Sequence, residues 1–403
     1  MKKLLRSIVG GLNSTSARRT PNDPKRYRNL KRIGQGAFGS VYEAKDRVSG
    51  EMVAIKKVRI GDDGNAEHEL KFNLLVSHKN VIQMLGHYRE QSKESRSDQT
   101  PILDMCLVLE YSRTSLKDSI EEFRKRGKVL PNQIIMLLTY QMYRGLHHLH
   151  SLNIIHRDIK PSNLLVNKKT FVLKISDLGH AVFMVPSEPR DTRACSVPYR
   201  APELELANED YSEKIDIWSS GCVLAECYTG EILFREYKNV QHYDRIRQLL
   251  GDPTSSDMAE LQPLIKNPPP VRHMPMIDLR FGRLKPHMPD SAIALIKKTL
   301  SYKPSQRPSA LDLCADPYYN ALRESTKFDE MLYDFSDQEL EKVQPALIER
   351  IVPARCRNHA VMKKLHPEAG GESLLSKTAR SSKSLVSSSS LQTKGIQPGG
   401  SGS

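Results

Sequence analysis

The stretch His156-Arg157-Asp158-Ile159-Lys160-Pro161-Ser162-Asn163, followed fourteen residues after Asn163 by Asp177-Leu178-Gly179, governs the reading of this chain. Its eight residues hold a candidate base (Asp158), two cations (Arg157, Lys160) and an amide oxygen (Asn163) suited to a hard metal ion. A carboxylate beside a cation can accept a proton while negative charge builds on a neighbouring group. The triplet His-Arg-Asp alone carries little information. The full spaced string carries far more.

Toward the N-terminus, Tyr27–Gly34 and Ser40–Lys45 alternate apolar and polar residues around Gly34-Gln35-Gly36-Ala37-Phe38-Gly39. This pattern predicts strand, glycine-rich turn and strand. Glycines there let backbone approach phosphate oxygens without interference from Cβ. In dinucleotide-binding folds a helix follows such glycines, whereas here Val41 and Tyr42 continue as a strand. A structural hairpin is the competing reading of this stretch alone. Val53-Ala54-Ile55-Lys56 is an apolar strand ending in a cation, and Met105–Glu110 is a second apolar strand. Between them the polar segment Gln91–Thr100 reads as a loop.

Leu116–Arg126 and Pro131–Ser151 are helical in pattern. The second carries the stripe Ile134, Ile135, Leu138, Met142, Leu146 and Leu149. His147, His148 and His150 do not share one helix face, so their spacing favours a structural role over a metal site. Phe171–Ile175 reads as a short strand delivering Asp177. His180 to Cys195 lacks periodicity, and a loop of that length is rarely idle.

The 403 residues are long enough for a two-lobed unit plus tails, and 38% are apolar. The net charge of +14 favours anionic ligands and partners. Residues 1–26 read as a basic disordered leader: Lys2, Lys3, Arg6, Arg18, Arg19, Lys25 and Arg26 oppose only Asp23. The leader also has the composition of a transit peptide, although its apolar patch is short. Residues 320–369 read as a partly helical extension and 370–403 as a disordered Ser-rich tail. The cysteines show no C-x-x-C pairing, which argues against a zinc site or disulfide framework. No apolar run approaches the ~18 residues of a membrane span. Cytoplasm or nucleus is the expected location.

These motifs, in this order, resemble the eukaryotic protein kinases of Ser/Thr type, across Tyr27–Tyr319. The resemblance implies an α+β, bilobal fold. A small β-rich N-lobe would cover about 27–111 and a larger helical C-lobe about 112–319. It implies ATP and Mg²⁺, protein substrates and a monomeric catalytic domain. Asp158 would orient the substrate hydroxyl and accept its proton, and Lys160 would neutralise the γ-phosphate. Asn163 and Asp177 would hold magnesium. Lys56 would touch the α and β phosphates, held by Glu69, with Glu67 the alternative. Asn73 stands where an apolar spine residue is usual.

Ile33, Gly34, Gln35, Gly36, Ala37, Phe38, Gly39, Ser40 and Val41 would cover the nucleotide, with Ala54, Leu109 (the gatekeeper) and Leu165 about the adenine. Glu110 and Ser112 would offer backbone groups, so that their side chains matter little. Leu178 replaces the usual Phe and remains apolar. Ala201-Pro202-Glu203 matches A-P-E, with Glu203 paired to a buried Arg307. Asp216 would cap its helix and brace the catalytic loop. Ser196 and Arg200 fall in the substrate loop.

The strings I-K-K-V and Y-R-A-P-E and the insert Phe234–Leu284 resemble the branch containing cyclin-dependent, mitogen-activated and nemo-like kinases. There Arg200 would favour Pro after the phosphorylated residue. The cyclin-binding helix motif is missing, which argues against a cyclin partner. Asp191-Thr192-Arg193 stands where T-x-Y is usual, and Val182, His68 and Ala66 stand where arginines would meet a phosphate. Of that pocket Arg157 remains, so the expectation is that Asp191 pairs with Arg157 and replaces loop phosphorylation. Phosphorylation of Thr192 is the competing expectation. A scaffolding pseudokinase would lack Lys56, Asp158, Asn163 or Asp177, and all four are present. A specific nucleic-acid site would need an aromatic-and-basic motif that this sequence lacks.

Overall fold

The computed structural model describes residues 21–366 apart from 37–38, 62–63, 96–100, 186–187, 236–238, 263–276 and 283–287. The expectations for Ala37, Phe38, the Ser-rich tail and the leader up to Thr20 lie outside these residues. The chain divides into two compact units between Leu313 and Cys314.

The first unit begins with β1 (Tyr27–Gly36), β2 (Gly39–Asp46), β3 (Met52–Arg59), helix α1 (Asn65–Leu75), β4 (Met84–Ser95) and β5 (Pro101–Glu110). The strands form one antiparallel sheet in the order β1-β2-β3-β5-β4. Strand periodicity sorts side chains onto two faces. Tyr27, Ala44, Val53, Ile55, Tyr88, Cys106 and Val108 form one apolar cluster, while Val58, Met105 and Leu107 join Ala66 of α1 in another. Lys56 alternates with Ile55 and so shares the α1 face with Val58.

The expected loop over Gln91–Thr100 is corrected in part: β4 continues to Ser95, whose Cα partner is Pro101. As the edge strand, β4 tolerates polar residues that resemble loop composition. Before the sheet, Pro21 and Asn22 strap its outer side. Tyr27 donates to the Pro21 carbonyl at 2.6 Å, and the His87 amide donates to Asn22 Oδ1 at 3.0 Å. A Cβ on Gly86 would stand 2.7 Å from Pro21 Cβ, so glycine permits this approach.

The rest of the first unit is mainly helical. Helix α2 (Leu116–Lys125) opens on a capping box between Ser115 and Asp118. Helix α3 (Asn132–Ser151) is buried from Ile135 through Leu146, well beyond the expected stripe, and Ile134 is only half-buried. Short ladders follow: β6 (Ile154–Ile155) pairs with β9 (Val182–Phe183), and β7 (Leu164–Val166) with β8 (Leu173–Ile175). The strand expected from Phe171 thus starts two residues later, because Phe171 takes φ +56°. Then come α4 (Pro202–Glu205), α5 (Lys214–Thr229), α6 (Asn239–Leu250) and α7 (Asp290–Thr299). Helix α5 is buried from Ile215 to Tyr228 and packs on α3 and α7. A helix buried on all sides is the centre of a core, not its edge.

Glycine sets one approach that matters for the site. A Cβ on Gly145 of α3 would lie 2.8 Å from both the Asn80 carbonyl and Ile175 Cδ1. Helix α3 can therefore press against β8, the strand that leads into Asp177. The second unit contains short helices such as Pro345–Ile351 and His359–Leu365, around buried Leu332, Tyr333, Phe335, Ile348, Ile351 and Val361.

Candidate active site

A cavity of about 700 Å³ lies below β1 and β2 and is lined from both the sheet and the helical part of the first unit. Ile33, Gly34, Gln35, Gly39, Val41 and Ala54 form its roof, and Leu165 and Ile175 approach from below. Lys56 enters from the α1 face of β3. Its Nζ lies 2.7 Å from Glu69 Oε1 and 2.8 Å from Asp177 Oδ1. Glu67, the alternative partner, is exposed and among the described residues pairs with Arg89, at 3.8 Å. Burial opposes charge on Lys56, but the two carboxylates raise its pKa and keep it a cation. Burial pushes the Glu69 carboxyl up, and its Oε2 has no hydrogen-bond partner among the described residues.

The catalytic loop hangs from one buried carboxylate. Asp216, 1% exposed, accepts the backbone N–H groups of His156 and Arg157, each at 2.9 Å, and lies 2.9 Å from His150 Nε2. This corrects half of the expectation for Asp216. It braces the loop but does not cap α5, whose N-cap residue is Glu213. The brace allows Arg157 to hold φ +66°, a left-handed conformation that is strained for a residue with a Cβ. His156 Nδ1 accepts the Asp158 amide at 3.2 Å, which leaves its Nε2–H to donate to the Ser176 carbonyl at 3.0 Å.

Asn163 Nδ2 donates to both the Asp158 carbonyl and Oδ2 at 2.9 Å, so its amide oxygen is the group left for a cation. Lys160 Nζ stands 2.7 Å from Asp158 Oδ2 and donates to Ser196 Oγ at 2.8 Å. Ser196 Oγ in turn donates to Asp158 Oδ1 at 2.8 Å. A hydroxyl thus already sits between the Asp158 carboxylate and the Lys160 cation. Burial alone would raise the Asp158 carboxyl, but Lys160, Ser196 and His156 lower it. Burial likewise opposes charge on Asp177, yet Lys56 brings its pKa down to about 2. An ionised carboxylate and an amide oxygen suit magnesium, which takes one or two protein oxygens and completes its shell with phosphates and water.

At the far end of the cavity, Leu109 and Ala54 are paired across β5 and β3 and line the wall. Ser40 does not line it and is paired with Gln35 across the β1–β2 hairpin. The expectation that the side chain of Glu110 matters little is corrected. Its carboxylate accepts Lys174 Nζ at 2.6 Å and the Gln83 amide at 3.1 Å, which ties the end of β5 to β8. Ser112 Oγ donates to the Thr114 carbonyl at 3.3 Å.

The cavity also includes residues absent from the motif reading, among them Val81, Ile82, Ile175, Asp118 and His180. Ile175, the apolar residue two before Asp177, offered the clearest signal. Asn73 is buried at the cavity wall and donates to the Glu69 carbonyl at 2.9 Å, so helix α1 itself satisfies this unusual polar side chain. Leu178 is 2% exposed and fills its apolar position.

Residues 27–319 match the family described as the protein kinase domain. This chain belongs to that family. The kinase is also similar to the protein kinase gsk31 of Schizosaccharomyces pombe, with 35% identity over 301 residues, which cover 74% of this chain and 76% of the relative.

The activation segment of the kinase, from Asp177 to Glu203, closes on a buried ion pair. Arg307 Nη1 and Nη2 meet the two Glu203 oxygens at 2.6 and 2.8 Å. Arg200 donates Nε to the Ala194 carbonyl at 3.1 Å and Nη2 to the Cys195 carbonyl at 3.0 Å. Its Nη1 lies 3.5 Å from Glu205 Oε1, which is also 3.0 Å from His242 Nδ1 of α6.

The expected Asp191–Arg157 ion pair is not formed. The Asp191 carboxylate accepts the amide of Arg193 at 2.9 Å and its Nε at 3.1 Å. Arg157 meets Asp191 only at the backbone carbonyl, at 3.4 Å. Two residues are too few to place a side chain: the Asp-x-Arg turn satisfies its own charges. Thr192 beside it is half-buried. His68, one of the missing arginines' replacements, contacts the Ala181 carbonyl at 2.7 Å.

Proposed function

We propose that this protein kinase transfers the ATP γ-phosphoryl group to Ser and Thr hydroxyls, with Pro favoured directly after the acceptor. Ser196 supports the acceptor class. From a backbone one methylene away, its hydroxyl reaches both Asp158 and Lys160 at 2.8 Å, as a Ser or Thr substrate would. The carbonyl of Cys195 carries the preference for Pro. Cys195 takes φ +71°, and its carbonyl is committed to Arg200. A substrate N–H arriving there finds that acceptor occupied, and an unpaired buried N–H costs about 1–3 kcal/mol. Proline has no N–H to lose.

Magnesium-bound ATP supplies the phosphoryl group and offsets its charge. The chain's own residues do the positioning. Lys56, fixed between Glu69 and Asp177, presents a cation to the phosphate region. Asn163 and Asp177 supply oxygens for the metal. Asp158, ionised and anchored by Asn163, orients the acceptor hydroxyl and takes its proton. Against burial, Lys160 and Ser196 lower its pKa, which keeps Asp158 an ionised carboxylate able to orient the hydroxyl. Lys160 stabilises the charge that develops on the transferred group.

The test compares kcat/KM for peptides that differ only in Ser-Pro against Ser-Ala. The reading expects about a tenfold or larger preference for Ser-Pro, reduced in Arg200→Ala as the Cys195 carbonyl is released. Equal use of the two peptides would rule out the Pro-directed reading. Preferential labelling of a Tyr peptide would rule out the Ser/Thr reading.

A further inference from the structure

We propose that Tyr211 and Arg190 are positioning residues that hold the activation segment in its working geometry without a phosphate on that segment. The inference rests on the kinase reading above. Tyr211 is 3% exposed, and its hydroxyl makes two bonds. It accepts Arg157 Nη1 at 3.0 Å and donates to the Asp191 carbonyl at 3.0 Å. Arg157 also donates Nε to the His180 carbonyl at 2.6 Å. The residue next to the base Asp158 is thereby tied to the segment near its start and near its middle.

Arg190 completes the clamp. Its guanidinium lies 5.1 Å from the centre of the Tyr211 ring and donates to the Tyr211 carbonyl. It also donates to the carbonyls of Val185 at 2.9 Å and Glu188 at 3.2 Å, and meets the Asp210 carboxylate at 3.2 Å. The Arg190 amide bonds the Glu209 carbonyl at 3.2 Å. The side chain is only 8% exposed, so this cation is built into the fold through stacking and carbonyl oxygens, a role suited to a planar guanidinium. A phosphate would normally collect arginines around a segment like this one. Here Arg157 is bonded to carbonyls and a phenol, Arg190 within the segment is bonded to the Val185, Glu188 and Tyr211 carbonyls, and Arg193 is bonded to Asp191. The connections that a phosphate would make are already formed by a tyrosine hydroxyl and a buried arginine.

The experiment uses the full chain, phosphatase-treated and untreated, in steady-state assays on a Ser-Pro peptide. Tyr211→Phe, Arg190→Ala and Asp191→Ala are compared with the unmutated kinase. Tryptic cleavage within residues 188–195 reports the segment independently of activity. Phosphatase treatment is expected to leave the unmutated kinase's rate unchanged. Tyr211→Phe removes one oxygen from a buried pair of bonds, and is expected to lower peptide kcat/KM about tenfold. Its KM for ATP and its melting temperature should stay near those of the unmutated protein, while cleavage in the segment accelerates. Arg190→Ala should accelerate cleavage further. Asp191→Ala, which keeps the carbonyl, should change the rate less than about twofold.

Silencing by phosphatase overturns the inference. So does a Tyr211→Phe variant as active as the unmutated kinase, or one whose loss only tracks a fall in melting temperature. No transfer by the unmutated protein overturns the kinase reading and the clamp together. A working kinase with an indifferent Tyr211→Phe overturns the clamp alone.

Discussion

In the catalytic loop, the fixing groups are oxygens that receive backbone N–H groups; in the activation segment, they are cations that reach backbone carbonyls. Asp216 holds His156 and Arg157 by their amides and is 1% exposed. Arg157 from the catalytic loop holds His180, and Arg190 and Arg200 of the segment itself hold Val185, Ala194 and Cys195, all by their carbonyls and through long side chains. A short buried carboxylate has few alternatives, whereas a long guanidinium side chain has many rotamers to lose on ordering. The catalytic loop is therefore expected to stay formed under conditions that loosen the segment beside it.

That contrast can be broken most easily at Asp216. Asp216→Ala leaves two buried amides and His150 without their acceptor, and is expected to cost roughly 3–6 kcal/mol in urea unfolding. A loss below about 1 kcal/mol would mean that the loop is held by something else. Next comes a lock of the activation segment that, like the catalytic-loop lock, rests on a buried carboxylate. Glu203→Ala strands a buried Arg307, with an expected cost of about 3–5 kcal/mol. Because the pair is fully buried, its contribution should change little with added salt.

Gly145→Ala tests the packing that brings β8 to the catalytic loop. The added methyl meets Asn80 and Ile175, and an expected loss of about 1–3 kcal/mol should come with lower kcat, because Ile175 leads into Asp177. Full stability with full activity would show that α3 and β8 need no close approach.

The smallest effect is one of pH. The Asp177 carboxyl lies at about 2 when folded, below the ordinary carboxylate value. Its stabilising interaction is thus complete above that ordinary value and is lost only as pH falls through about 2. Glu69 is shifted the other way and protonates first on acidification, which removes one of the two charges that hold Lys56 while Asp158 and Asp177 remain charged. The acid limb of kcat/KM for ATP should move in Glu69→Gln. An unmoved limb would assign that titration to another group.

The two regions also differed in how plainly the sequence announced them. Asp158, Lys160, Asn163 and Asp177 sit in short strings, as the proposed phosphoryl transfer would require of a base, a cation and metal oxygens at set distances. Lys56 was legible in its strand motif, Glu69 only with Glu67 left open as the alternative until the geometry chose between them, and the sheet was legible from alternation. In the activation segment the closing Glu203–Arg307 pair was legible, but the contact with Tyr211 was not, because Tyr211 lies 54 residues from Arg157 and in no motif. Counting charges assigned Asp191 to Arg157 correctly in sign but to the wrong atom, since the carbonyl, not the carboxylate, makes the contact. Glu110 misled in the opposite way. Its backbone drew the attention, and its carboxylate proved to tie β5 to β8.

The most direct test of the central claim is transfer of radiolabelled phosphate from ATP to a Ser-Pro peptide by the unmutated kinase and by Asp158→Asn. The account predicts labelling by the first, and a fall in kcat on the order of 10²- to 10⁴-fold in the second with KM for ATP little changed. Labelling that survives Asp158→Asn undiminished would contradict the assignment of Asp158 as the residue that orients the acceptor and takes its proton.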